Sequence, residues 1–334
     1  MEASLLVGLG LVLLGGFFQG SFMLPAKWIH NWNWEHYWLI FAATAYLISP
    51  WTLAFITVPS LPAIYSGISA ATLIKVGVFG LTWGIGTVMF GRGVDLLGMS
   101  LGFTIIIGIA SSAGTLIPLV AAPPAHFSVV PAMITGLSLA IMLVGVAVCS
   151  SAGGWKESQG KARGHYRRGV IICIWSGLFS AGGNVGFSLA KEVTQRAQAL
   201  GAPADVAQNA LWALLTLPLF LCNTVFALSL MRCNRSFGQY RAPRSGRNLL
   251  FSISMGICWM IGIGIYGTGT RQLGPLGASL GWSIMMSAMV VAANGWGVAT
   301  GEWRLSPVNM RKRLAAGVFL LLLAIGGLGL VNAL

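Results

Sequence analysis

The sequence has few charged residues and very few acidic ones. Only 8% of the 334 residues are Asp, Glu, Lys or Arg, whereas 56% are apolar; an average soluble protein has about 25% charged residues. A water-exposed domain of this size cannot be covered with so few charges. The composition therefore excludes soluble, disordered and secreted disulfide-stabilised proteins, and it is typical of a helical protein that crosses the membrane several times.

Motifs for enzymatic or metal chemistry are also missing. The cysteines are odd in number and form no CxxC pair, and the four histidines form no HExxH motif. No glycine-rich phosphate-binding motif follows a strand-like stretch. We therefore predict that the chain is not an enzyme, has no cofactor or metal ion, and does not drive transport by hydrolysing ATP itself.

Ten apolar runs are long enough to cross the hydrocarbon core of a bilayer, which takes about 20 helical residues each. Charged residues, prolines and polar clusters separate these runs. The sequence therefore predicts an all-α membrane protein with ten transmembrane helices. The predicted spans are 3–24, 36–57, 70–91, 96–120, 130–150, 169–189, 207–231, 249–270, 276–300 and 314–333.

The net charge of +13 is concentrated on one side of the predicted membrane. Sixteen of the 20 Lys and Arg residues lie in the loops after the first, third, fifth, seventh and ninth spans. Because positively charged loops stay in the cytoplasm, both termini are predicted to lie on the opposite side. A nucleic-acid-binding surface is excluded, since the charge is spread over five loops along one membrane face.

An internal repeat is the most informative feature of the chain. Residues 83–98 resemble residues 259–274 at seven positions that lie 176 apart, and residues 98–103 resemble residues 277–282 after a short insertion. The third and fourth spans thus match the eighth and ninth, so the repeat unit is five spans. Because five is odd, the second copy enters from the opposite side, as in transporters with inverted repeats. We predict one repeat over 1–150, a basic cytoplasmic loop over 151–168 and the second repeat over 169–334.

Several short motifs make the chain similar to the L-rhamnose–proton symporter family of the drug/metabolite transporter superfamily. These motifs are WNWE at 32–35, WGIG at 83–86, LGMS at 97–100, GLFSAG at 177–182 and GEW at 301–303. The resemblance implies a ten-helix inverted-repeat fold and sugar uptake across the bacterial inner membrane, with both termini periplasmic. Residues 276–281 depart from the family pattern because they contain no acidic or amide side chain, which leaves the identity of the sugar open.

A sugar site needs a few convergent hydrogen-bonding groups and an aromatic face within an apolar cleft. Polar side chains inside spans are functional candidates because burying them in a membrane is unfavourable. Interhelical hydrogen bonding and simple packing are the structural alternatives for these residues. The predicted substrate-binding residues are Gln19, Asn184, Trp83, Phe103, Tyr266, Trp282 and Asn294. By contrast, Trp32, Trp34 and Trp38 flank a loop and are assigned to the interfacial aromatic belt.

Proton coupling needs an ionisable group, and no acidic residue lies at a clear midplane position. Glu35 and Asp95, at the cytoplasmic ends of the second and fourth spans, are the predicted proton-coupling residues, followed by Glu302. Pairing with Arg92 is the structural alternative for Asp95, and stabilisation of a helix N-terminus is the alternative for Glu35.

Together these features predict a secondary active transporter that imports a small neutral sugar by proton symport with alternating access. L-rhamnose or a related deoxy-hexose is the predicted substrate. The predicted partners are the sugar, the proton and the lipid bilayer. An uncoupled exchanger or exporter of another small metabolite stays open, since no acid is found at the midplane. Residues 191–206 form the longest polar outer segment, which we expect to contain a short surface helix ending near Gly201.

Overall fold

The computed structural model describes residues 2–97, 99–121, 128–154, 166–301, 303–304 and 306–331. Regular structure in this part of the chain is helical throughout, without a strand. The α-helices are α1 (Glu2–Ser21), α2 (Trp34–Ala42), α3 (Ser49–Thr57), α4 (Leu61–Ser66), α5 (Ala70–Leu97), α6 (Met99–Ala121), α7 (Val129–Gly154), α8 (Tyr166–Ser180), α9 (Gly182–Leu189), α10 (Lys191–Ala199), α11 (Gln208–Cys233), α12 (Ser245–Gln272), α13 (Gly277–Ala299) and α14 (Val308–Val331).

The described residues include nine helical segments that are long and apolar enough to cross a membrane. A shorter apolar stretch, Ile105–Ala121, lies in α6. Helices are expected in such sequences because lipid offers no hydrogen-bond partner to the backbone, so each peptide group must bond within its own segment. The prediction of a helical, multi-pass membrane protein is confirmed.

The last helix begins earlier than predicted. α14 starts at Val308, whereas the apolar run starts at 314. The basic residues 311–313 predict a break before the span, but they lie in the first turns of the helix with their side chains exposed. Charged side chains can extend a membrane helix beyond the hydrocarbon because they reach into the water layer.

Two of the membrane segments are interrupted. In the second, a π-helical turn at Ala43–Ile48 joins α2 to α3, just before Pro50. In the segment Arg167–Ala199, α8 ends at Ser180 and α9 begins at Gly182. Proline and π-turns commonly mark a bend in a helix. Both interruptions face residues described below as part of the candidate site.

The helices pack in pairs that connect the first part of the chain to the second. α1 packs against α12 and α13, whereas α8 packs against α5 and α6. α7 packs against α14, and α6 contacts α13. Glycines permit the closest of these approaches: a Cβ added at Gly16 of α1 would lie 2.5 Å from the Cβ of Ala288 in α13. Small residues at helix contacts are how membrane helices approach closely.

Loop contacts join the two parts of the chain at both ends of the helix bundle. At one end, residues 27–36 contact residues 234–248 and Thr300, and we call this the Glu35 end. At the other, residues 57–72 contact residues 192–210, and we call this the Glu192 end. The short surface helix that the sequence predicts is confirmed here as α10, and Gly201 follows it with φ of +93°.

Two of the three tryptophans assigned to the interfacial belt, Trp32 and Trp38, lie in the protein interior instead. Trp32 and Trp38 are buried, each with 9% of its surface exposed. Trp38 donates to Asn223 Oδ1 at 2.9 Å, and Trp32 donates to Ser245 Oγ at 3.1 Å. The belt assignment of these two residues is wrong, because both lie against the second part of the chain: Trp32 in the loop before α2 contacts Ser245, and Trp38 in α2 packs against α11.

Candidate functional site

Asn184 lies at the break between α8 and α9 and is fully buried. Its amide nitrogen donates to the carbonyls of Gly114 and Ala278, each at 2.8 Å. Its amide oxygen accepts from the Tyr266 hydroxyl at 2.6 Å. This single side chain therefore links α6, α9, α12 and α13.

The bond from Asn184 to Gly114 has a specific cause in the sequence. Pro118 lies inside α6, and proline has no N–H to donate to the carbonyl four residues before it. That carbonyl belongs to Gly114. In a membrane, a neighbouring side chain can satisfy a backbone group that proline has released, and Asn184 does so here. The amide thus forms an interhelical bond, which agrees with the structural alternative for this residue.

Tyr266 and Trp282 lie beside Asn184. The Tyr266 hydroxyl is also 3.1 Å from the carbonyl of Ala278, and its ring meets that of Trp282 edge to face with centroids 5.9 Å apart. Trp282 donates to the carbonyl of Ala110 at 3.2 Å. Both predicted aromatic residues are therefore buried in the group of helices that surrounds Asn184.

Trp83 and Gln19 join this group through Trp259. The rings of Trp83 and Trp259 have centroids 5.8 Å apart, and Gln19 donates to the Trp259 carbonyl at 2.8 Å. Gly183, next to Asn184, faces Trp83 so closely that an added Cβ would lie 2.6 Å from its ring. Gln19 and Asn184 are thus connected through two tryptophans and one glycine. We call the seven residues involved the central cluster: Gln19, Trp83, Gly183, Asn184, Trp259, Tyr266 and Trp282.

Trp259 is a member of the central cluster that is absent from the predicted site residues. Its ring also meets Tyr46 edge to face, with centroids 4.9 Å apart. Tyr46 lies in the π-helical turn, which brings the second membrane segment to the cluster. The internal repeat contains the signal that identifies Trp259, because it is the counterpart of Trp83.

A row of hydroxyl side chains follows the contact between α6 and α13. Thr115 and Ser283 are buried, with their hydroxyl oxygens 2.6 Å apart. The Thr115 hydroxyl is also 2.9 Å from the carbonyl oxygen of Ser279, and the Ser283 hydroxyl is 3.2 Å from the carbonyl oxygen of Ser111, so one hydroxyl donates to the other and the second donates to its carbonyl. This hydroxyl row connects α6 to α13 close to the central cluster.

Of the two remaining predicted substrate residues, the structure describes the side chain of Asn294 only, and this side chain does not join the central cluster. Asn294 is half-buried and donates to the Val290 carbonyl on its own helix, at 2.9 Å. The side chain of Phe103 lies outside the described part of the structure. The same holds for the side chain of Asp95 and for residue Glu302, so their predicted coupling roles stay predictions.

Glu35 is buried at the N-terminus of α2, with 3% of its surface exposed. Its Oε1 accepts from Asn234 at 2.9 Å, from Ser236 at 3.0 Å and from Asn33 at 3.4 Å. Asn234 and Ser236 follow α11, so the carboxylate connects the two parts of the chain. Its position in the first turn of a helix also agrees with the structural alternative of helix N-terminal stabilisation.

The residue after Glu35 extends the same contact. The His36 ring Nε2 is 2.8 Å from the Ser236 carbonyl, and the Tyr240 hydroxyl donates to the His36 carbonyl at 3.2 Å. Burial, followed by the nearby Glu35 carboxylate, raises the pKa of Tyr240 to about 12. Tyr240 therefore keeps its proton, and its role as a donor, throughout the physiological pH range.

Comparison with known proteins identifies the family. The family model described as L-rhamnose-proton symport protein matches residues 1–333. The chain belongs to this family. Similar proteins include the L-rhamnose-proton symporters of Yersinia pestis (strain Pestoides F) and of Yersinia pseudotuberculosis serotype O:3 (strain YPIII). Each is 28% identical over 351 residues, which cover 99% of this chain and 99% of the relative. The family resemblance in the sequence motifs is confirmed, and the family is one of transporters, not enzymes.

Proposed function

We propose that this protein imports L-rhamnose or a related deoxy-hexose together with protons, by secondary active transport across the bacterial inner membrane. The observation that carries the proposal is the family match over residues 1–333, together with relatives named L-rhamnose-proton symporter over their full length. The basic loops support an orientation with the Glu35 end in the cytoplasm and both termini in the periplasm.

We further propose that the chain forms ten spans arranged as two inverted five-helix repeats, with α6 as the fourth span. The packing pairs support this arrangement. When each of the first five spans is exchanged with its counterpart among the second five, α1 is replaced by α8 and α12 by α5. The contact of α1 with α12 then becomes that of α8 with α5. The contact of α1 with α13 likewise becomes that of α8 with α6. The same exchange leaves the α7–α14 and α6–α13 contacts unchanged, because each of these pairs consists of two counterparts. This is expected for pairs that meet across a pseudo-twofold axis.

The central cluster is the proposed sugar site, because it contains what a neutral sugar requires. Tryptophan rings offer apolar faces to the C–H groups of the sugar. Gln19 offers its amide oxygen and a second N–H beside the one bonded to Trp259. Asn184 offers only the remaining acceptor capacity of its amide oxygen, because both of its N–H groups are bonded to backbone carbonyls. The break between α8 and α9 lies within the cluster, and interrupted helices are common at transporter sites. Phe103 and Asn294 belong to the proposed site on the sequence argument alone.

Proton coupling is assigned to Glu35 and Asp95. Glu35 is a buried carboxylate with neutral donors around Oε1. A proton on this group would change its hydrogen bonding, since a carboxylic acid is a donor as well as an acceptor. That change would be transmitted to the loop after α11.

Uptake of labelled L-rhamnose into proteoliposomes tests this function. With an inward proton gradient we expect accumulation above the external concentration, and an uncoupler is expected to reduce it to equilibration. L-arabinose and a nucleoside serve as competitors that should have little effect. Uptake that ignores both the pH gradient and the uncoupler would remove proton symport from the proposal.

Exchange of a different small metabolite is the second candidate function. It is favoured by the position of Glu35, which lies at the end of its span and not among the residues of the central cluster. Counterflow experiments distinguish the two functions. An exchanger shows counterflow without any accumulation in a proton gradient, and L-rhamnose does not compete for its substrate.

A further inference from the structure

A second carboxylate contact lies at the end of the bundle opposite Glu35. The Oε1 of Glu192 accepts the backbone N–H of Ser69 at 2.7 Å, and Oε2 accepts the Ser69 hydroxyl at 2.5 Å. The Thr72 hydroxyl also donates to Oε2. Ser69 precedes α5, and its carbonyl accepts from the backbone N–H groups of Thr72 and Leu73. Glu192 thus places its charge at the N-terminus of α5, where the helix dipole favours an anion.

The helix that carries Glu192 is held against the other part of the chain at further points. Arg196, one turn later on α10, donates from Nε to the carbonyl of Ile64 at 3.1 Å. Gly67 leaves space for this guanidinium, since an added Cβ would lie 1.6 Å from Nη2. Val193 and Ala197 on α10 are fully buried. These bonds attach α10 to residues 61–72.

The Glu35 and Glu192 contacts are related by the exchange of the two halves. Glu35 lies at the start of the second span, next to the loop from the first, and binds residues between the seventh and eighth. Glu192 lies between the sixth and seventh spans and binds residues between the second and third. If each position in the Glu35 contact is moved forward by five spans, with the first span following the tenth, the result is the set of positions in the Glu192 contact.

We propose that Glu192, Ser69 and Thr72 form a gate at the outer end of the transporter, as the counterpart of a gate formed by Glu35, Asn234 and Ser236 at the inner end. This inference rests on the proposed inverted-repeat transport function. Alternating access requires that one end opens while the other is closed. Each contact joins the two halves through a carboxylate, so each must break before the halves can separate at its end. Glu192 is a positioning residue: it sets the balance between the states and does not touch the sugar.

The Asp205–Arg271 salt bridge supplies a matched control. It lies at the same end as Glu192, with both side chains partly exposed, and it joins two residues of the second half. Because it does not cross between the halves, removing it should leave the gate unaffected. Asp205→Asn therefore removes an acid from the same surface without breaking a contact between the halves.

Thiol labelling in detergent tests the gate without any substrate. In a cysteine-free background, Ala197→Cys places a thiol on the buried face of α10. We expect Glu192→Gln to raise its rate of maleimide labelling about tenfold, which corresponds to about 1.4 kcal/mol. Asp205→Asn should leave the rate unchanged, and Glu35→Gln should lower it, because opening the inner end closes the outer one. Equal labelling rates in Glu35→Gln and the parent would overturn the proposal that the two gates are coupled. If Glu192 acts only locally, a change at Glu35 does not alter labelling at residue 197.

Cross-linking tests whether the gate opens during transport. Ser69→Cys with Glu192→Cys, bridged by mercuric ion, should lose L-rhamnose uptake and regain it on addition of excess dithiothreitol. The same treatment of Asp205→Cys with Arg271→Cys should leave uptake intact. Full uptake by the bridged Ser69–Glu192 pair would overturn the gate. A lack of uptake before bridging, in the cysteine-free parent, counts instead against the proposed substrate, and the labelling rates then decide the gate.

Discussion

Replacing Asn184 by alanine tests whether its amide compensates for the proline in α6. The variant loses three buried hydrogen bonds, to Gly114, Ala278 and Tyr266. Interhelical hydrogen bonds in membranes average about 0.6 kcal/mol each, and a buried carbonyl left without a donor costs about 1–3 kcal/mol. The Gly114 carbonyl becomes such a group because Pro118 offers it no N–H. We therefore expect the free energy of unfolding to fall by about 2–3 kcal/mol.

The decisive measurement is a double-mutant cycle with Pro118→Ala. Alanine at this position restores an N–H that can reach the Gly114 carbonyl, so Asn184→Ala should then cost about 1 kcal/mol less than in the parent. Pro218→Ala is the matched control, because Pro218 lies inside α11 and its missing N–H has no connection to Asn184. Unfolding in mixed micelles of increasing dodecyl sulfate content, followed by circular dichroism, gives the four free energies of each cycle.

Two outcomes would refute the link between the Asn184 amide and the proline. If Asn184→Ala and Pro118→Ala add to within about 0.5 kcal/mol, as independent sites do, then the amide does not compensate for the proline. A coupling of the same size with Pro218→Ala would also refute the link, because the effect would then reflect general loosening of the bundle.

Three further predictions concern binding, coupling and packing. Gln19→Ala should abolish the thermal shift that L-rhamnose produces; wild-type affinity in the Gln19 variant would remove that residue from the site. Glu35→Gln should keep L-rhamnose counterflow but lose accumulation in a proton gradient, and accumulation at the parent level would exclude Glu35 as the coupling acid. Gly16→Val should lower the melting temperature by several degrees, because its helix lies within contact of α13 and overpacking costs about 1–3 kcal/mol. Gly10→Val has open space around it and should melt like the parent.

Composition and charge are sufficient to determine the class of this protein. A long apolar run in lipid must satisfy its backbone hydrogen bonds within its own segment, and an α-helix does so. The helical multi-pass architecture therefore follows from the sequence. The motifs indicate the family by resemblance, and the match of the family model to residues 1–333 confirms it. The predicted boundaries are least accurate where basic side chains lie inside a helix, as at the start of α14.

The membership of the central cluster is only partly determined by sequence. Gln19, Trp83, Asn184, Tyr266 and Trp282 are predicted as separate candidates, and the fold brings them together. Trp259 could be found from the sequence only as the repeat counterpart of Trp83, because a tryptophan in an apolar run has no local feature that distinguishes a site residue from a packing residue. Trp32 and Trp38 are misassigned by sequence for the same reason.

The contacts of the acidic residues are decided by tertiary structure alone. Glu35 lies in the first turn of α2 and Glu192 in the first turn of α10, and the sequence around them indicates only a loop or a helix start. Their partners lie about 200 and 120 residues away, and hydrogen bonds over such separations depend on how the two halves pack. Lipid and water fix where each segment of this chain lies relative to the membrane, but side-chain packing between the halves decides which polar groups meet.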